Sequence, residues 1–102
     1  MLNISKIKTY LGFAIKSGKI IFGYDNLLIA KNNPYLVLSC STLNEKMNTK
    51  VNTFCNNRKI KCVNLLEVKL SDLIQRDNCK VVGIKDENLS NAILNEFKME
   101  KA

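Results

Sequence analysis

Leu11-Gly12-Phe13-Ala14-Ile15-Lys16-Ser17-Gly18-Lys19-Ile20-Ile21-Phe22-Gly23 is the stretch that decides the fold. It reads as the end of an amphipathic helix, a glycine stop, a short apolar strand and a second glycine. Upstream, Ile4, Ile7, Leu11, Ala14 and Ile15 repeat at helical spacing and predict a helix from Ile4 to Ser17, with Asn3 as its N-cap. Gly18 suits the left-handed residue that ends a helix. Lys19 to Phe22 then reads as a short buried strand. Gly23 turns the chain into a second helix, Tyr24 to Lys31, which Asn32-Asn33-Pro34 ends.

Further along, Tyr35 to Cys40 is nearly continuously apolar, the pattern of a central strand buried on both faces. Thr42 and Glu45 fit a capping box that opens a third helix, with Leu43, Met47, Val51, Phe54 and Cys55 as its apolar stripe. Asn44, Asn48, Asn52 and Asn56 recur at i+4 on a solvated face, and Arg58-Lys59 closes the helix where cations favour the dipole. Lys61 to Leu66 reads as a strand, and Ser71 or Asp72 as the cap of a short helix through Ile74. A polar loop runs from Gln75 to Cys79, and Lys80 to Ile84 is the last strand. Asp86 caps a final helix whose face carries Leu89, Ala92, Ile93 and Phe97, with a polar tail from Lys98. Helices and strands alternate almost throughout, which predicts an α/β domain with a sheet covered by helices on both faces.

Composition bounds the function. The chain has 102 residues, enough for one domain, and 46% of them are apolar, enough for a packed core. Sixteen basic residues against nine acidic ones give a net charge of +7 with no histidine. That excess favours an anionic partner over a neutral one, although solubility alone also accounts for a positive balance. No apolar run approaches a membrane span, so no membrane partner is expected, and the missing apolar leader makes a cytoplasmic location the expectation. Cys40, Cys55, Cys62 and Cys79 form no C-x-x-C pair, so they read as reduced apolar fillers and no metal is expected.

No catalytic motif stands out. There is no histidine for acid–base work, no nucleophile elbow and no phosphate loop. Cys40 and Cys79 are lone cysteines with nothing beside them in sequence to lower their pKa. The expectation is a non-enzyme with no cofactor. Two polar segments remain as a binding surface. Gly23-Tyr24-Asp25-Asn26 is a helix start whose outward N–H groups suit a phosphate or base edges, although on the residues alone plain capping by Asp25 or Gly23 is the better explanation. Gln75-Arg76-Asp77-Asn78 is a loop in which Arg76 offers a phosphate or stacking contact. Lys16, Lys19 and Lys31 extend the electrostatic footprint around Gly23, or are solvated charges. Tyr24 offers a ring for stacking, or packs at the helix start. Ile29 reads as core; exposed beside Tyr24, it would be an apolar contact spot for a protein.

These segments also carry a resemblance. Leu11 to Gly23 is similar to L-G-x-A-x-x-[AS]-G-K-[IVL]-x-x-G, the opening of the ribosomal-protein superfamily that binds kink-turn RNA, particularly its bacterial YlxQ-like branch. Leu36-Val37-Leu38 is similar to that family's central strand. Ile74 to Asn78 takes the place of its I-G-K-x-[AS] loop, and Val81 to Asp86 its final strand and helix cap. The resemblance runs from about Ser5 to Phe97. It implies a three-layer α/β/α sandwich with a mixed four-stranded sheet, acting as a single monomeric domain on structured RNA, ribosomal RNA included. It also implies a site joining the start of helix two to the loop before the last strand. In the family's G-x-N-E-x-x-K helix, the Gly falls on Gly23, the Asn on Asp25, the Glu on Asn26 and the Lys on Ile29. Only the Gly is kept. Asp25 retains acceptors without amide donors, Asn26 both accepts and donates, and Ile29 supplies no cation. In the loop Gln75 replaces a Gly, and Arg76 keeps the positive charge.

Overall fold

The computed structural model describes residues 4–40, 42–65, 70–74 and 79–101. In chain order the elements are α1 (Ile4–Lys16), β1 (Ile20–Phe22), α2 (Tyr24–Ile29), β2 (Leu36–Ser39), α3 (Glu45–Arg58), β3 (Lys61–Asn64), α4 (Leu70–Ile74), β4 (Val81–Ile84) and α5 (Glu87–Lys101). The strands form one sheet in the order β1-β4-β2-β3. β4 runs antiparallel to both β1 and β2, and β3 runs parallel to β2. Three strands therefore point one way, and their C-terminal ends share a rim with the start of β4.

Period-two alternation sorts the strand residues into two layers. Leu36, Leu38, Val82 and Ile84 pack with Ile7 and Leu11 of α1, Leu70 of α4 and Ile93 of α5. Val37 and Val81 pack on the other side with Leu27 of α2 and Val51, Phe54 and Cys55 of α3. The molecule is the expected three-layer α/β/α sandwich with a mixed four-stranded sheet. All of β2 is buried, as its continuous apolarity predicts. β1 lies at the sheet edge and is only half-buried, not buried as expected.

Two glycines shape the path into α2. Gly18 takes φ 71° after α1, and Lys19 N–H closes the turn on Ala14 O at 2.8 Å. Gly23 takes φ 88° and ψ 151°, a region open essentially to glycine alone. A third, Gly83, sits where α2 crosses the sheet. A β-carbon there would stand 2.6 Å from Leu27 Cδ2 and 3.0 Å from Pro34 Cβ.

Several boundaries differ from the sequence expectation. α2 stops at Ile29, and Ala30 is already extended at ψ 135°. Leaving the helix early lets the chain carry Pro34 against Gly83. α3 starts at Glu45 rather than at a Thr42 capping box, because Asn44 is the cap and its Oδ1 accepts from Met47 N–H at 2.8 Å. Leu70 is already helical in α4, so neither Ser71 nor Asp72 caps it, and Cys40 Sγ accepts the Leu70 N–H at 3.3 Å. Ile15, expected on the core face, is 37% exposed. α5 runs on through Lys101, past the Lys98 where a tail is expected. Its cap is the predicted one, with Asp86 Oδ1 accepting Leu89 N–H at 2.9 Å. The proposed Asn3 cap and Leu66 lie outside the described residues.

Candidate nucleic-acid interface

The rim at the C-terminal ends of β1, β2 and β3 is built from short connections. Gly23 N–H donates to Val81 O at 2.8 Å, so the start of α2 is tied to the start of β4. Cys40 N–H donates to Lys80 O at 2.7 Å, which ties the β2–α3 connection to the same place. Between them lies an open depression of about 360 Å³. Its walls are Gly23, Tyr24, Asp25 and Asn26 of the α2 start, Leu43, Asn44 and Met47 of the α3 start, and Cys79, Lys80 and Val81 entering β4. In α/β sheets, this end of the strands is the usual side for ligands.

Each α2 residue has a defined part. Asn26 Nδ2 donates to Phe22 O at 2.7 Å, which fixes the side chain across the strand end and turns its Oδ1 into an acceptor for another donor. Asp25 is exposed in the first turn, where a carboxylate suits the positive helix end. It does not cap: Gly23 is the N-cap, with no side-chain cap bond. The Tyr24 ring is half-buried and meets Phe54 edge-on, with centroids 6.1 Å apart and planes at 75°. Packing at the helix start thus accounts for Tyr24. Ile29 is 79% exposed, so its reading as core is overturned. Leu28 beside it is 42% exposed.

The loop candidates Gln75, Arg76, Asp77 and Asn78 lie outside the described residues. The next residue, Cys79, lines the depression and donates its Sγ hydrogen to Val81 O at 3.5 Å. Lys16, Lys19 and Lys31 are not gathered at Gly23. Lys19 precedes β1 and bonds Lys85 through its carbonyl oxygen, which places it at the opposite end of the strand, roughly 13 Å of extended chain away. Lys16 ends α1 just before it, and Lys31 lies past α2 on the way to Tyr35. Sequence reasoning missed the α3 start and Lys80. Asn44 carried the usable signal, as a strong N-cap residue three places before Met47.

Among the described residues, no cluster of three or more His, Cys, Asp or Glu side chains could hold a metal ion. No described helix is long and apolar enough to cross a membrane.

No protein-family model matches the chain, and no curated protein matches it. Among solved structures, it is similar to one described as "a protein with unknown function from Bacillus halodurans C", with a TM-score of 0.81. The two are 19% identical, and the likeness covers 91% of this chain and 97% of that one. At that identity the similarity establishes the fold.

Proposed function

We propose that this chain is a non-enzymatic RNA-binding domain that docks structured, kink-turn-like RNA on the rim where α2 and α3 start. The observation that carries the reading is the union of the Gly23–Asn26 helix start and the Cys79–Lys80 entry to β4 in one open depression. The resemblance puts an RNA site at the first of these places and in the loop, Gln75 to Asn78, that leads into the second. Asn26 Oδ1 is set to accept from a base amine, and Lys80 supplies a cation at the edge. The net charge of +7 supports an anionic partner. Fluorescence anisotropy with a kink-turn RNA tests it through Asn26→Ala. Weakening of at least fivefold, with Thr53→Ala on exposed mid-α3 unchanged, supports the reading; equal affinity of the two variants opposes it.

A second reading has one observation in its favour. Ile29 and Leu28 form an exposed apolar spot on α2, where a kink-turn binder carries a lysine. On this reading the fold binds a protein there, and a partner that survives nuclease treatment and is lost with Ile29→Lys would support it.

A further inference from the structure

The opposite rim of the sheet carries a row of cations. Across the strand ends stand Lys19 before β1, Lys85 after β4, Tyr35 before β2 and Lys61 opening β3. Beside β2 and β3 a groove of about 440 Å³ runs from the end of α3 to the start of α5. Arg58, Lys59 and Lys61 line it, against one carboxylate, Glu87. Charge at a helix C-terminus has an ordinary explanation in the dipole. Three further features of this groove lie outside that explanation.

Arg58 is held in place. Its guanidinium stacks over Phe54, with Cζ 4.5 Å from the ring centroid, and Nη1 donates to Asn33 Oδ1 at 3.1 Å. A fork already ordered by a ring loses little freedom on meeting a phosphate. Tyr35 is 52% exposed at the groove edge, which leaves it open to a stacking partner. Ser90, in the α5 wall, is 1% exposed, and its hydroxyl has no hydrogen-bond partner among the described residues. A buried hydroxyl left unmatched costs stability, so it points to a ligand that supplies the match.

We infer that this groove binds a nucleotide, with the phosphate on Arg58, Lys59 and Lys61, the base against Tyr35, and Ser90 hydrogen-bonded to the ligand. Stacking plus a cationic track is how single-stranded nucleic acid is held without sequence readout. The source of the nucleotide is either a free mononucleotide or one unit of an RNA strand. The inference stands apart from the RNA reading of the α2 rim, because the two sites lie at opposite ends of the sheet and share no residue.

The experiment is an amide NMR titration of the whole chain with inorganic phosphate, adenosine monophosphate and hexaadenylate RNA in parallel. Shifts at Tyr35, Lys61, Ser90 and Asn91 with either nucleotide ligand support the inference. Hexaadenylate binding at least tenfold tighter than the mononucleotide assigns a strand, and equal affinity assigns a free nucleotide. Phosphate alone should bind weakest. Tyr35→Ser and Lys61→Glu, both at exposed positions, should each weaken the binding at least fivefold, whereas Asn26→Ala at the other rim leaves it unchanged. Ser90→Ala should weaken it with no fall in melting temperature, since the free protein gains nothing from that hydroxyl. Absence of shifts in the groove with all three ligands overturns the inference. So does unchanged affinity in Tyr35→Ser, Lys61→Glu and Ser90→Ala.

Discussion

Gly83 and Ile29 show how much rests on single side chains, in opposite directions. A β-carbon at Gly83 would press on Leu27 Cδ2 at 2.6 Å and on the Pro34 ring at 3.0 Å. The leucine can turn aside, but the proline ring gives little. Gly83→Ala is therefore expected to destabilise the fold by about 1–3 kcal/mol in urea denaturation. Ile29 touches little, being 79% exposed. Ile29→Lys should leave the unfolding midpoint unchanged and, on the proposed function, tighten kink-turn RNA binding, because it supplies a cation about one turn along α2 from Asn26. Looser RNA binding by that variant would favour the protein-partner reading. The Cys55 and Cys62 thiols lie in one cluster where α3 packs on β3, and Cys62 Sγ donates to Asn52 Oδ1 at 3.9 Å. Interaction with Cys62 and burial both push the Cys55 thiol up, whereas interaction with Cys55 draws the Cys62 thiol below its ordinary value. A lowered pKa means more thiolate at a given pH. Iodoacetamide followed by mass spectrometry should label Cys62 at a lower pH than Cys55.

Among the elements, those whose signals are local were legible in the sequence. β2 was evident because a strand buried on both faces leaves an apolar run, and the start of α5 because Asp86 caps it as its residue type predicts. The end of α2 and the start of α3 were not. α2 ends where Pro34 must reach Gly83, a tertiary demand that no helical pattern records. α3 was misplaced because two candidate caps, Thr42 and Asn44, lie two residues apart, and the backbone chose the second. Asn44→Ala should thus cost about 1 kcal/mol of stability by chemical denaturation, the usual worth of an N-cap. Thr42→Ala should cost far less. The α2 half of the candidate site was readable from Gly23 and Asn26. The α3 half was not, because sequence distance hid that Cys40 N–H bonds Lys80 O and brings the two connections together.

On the scale of the whole molecule, a net charge of +7 says that an anion is favoured but not where it lies. The fold divides the charge. At one rim the chain leaves α1, α2 and α3, and Lys16, Lys31, Arg58 and Lys59 cluster near those helix ends. At the other rim α2 and α3 begin, with fewer described cations but with outward backbone N–H groups. Reading Lys16, Lys19 and Lys31 as partners of Gly23 failed because nearness in sequence across a strand is distance in space. On the proposed function, RNA at the α2 rim would rely more on hydrogen bonds to bases and less on phosphates than the overall charge suggests. The salt dependence should accordingly be modest. Two or three phosphate contacts would weaken binding roughly ten- to fortyfold between about 50 and 200 mM salt. The most direct measurement is the affinity of the purified chain for a kink-turn RNA beside the same RNA with its G·A pairs replaced, at those two salt concentrations. The account predicts that the intact RNA binds at least about tenfold tighter, a difference of about 1.4 kcal/mol, at both concentrations. Equal affinity for the two RNAs, or binding to neither, would contradict it.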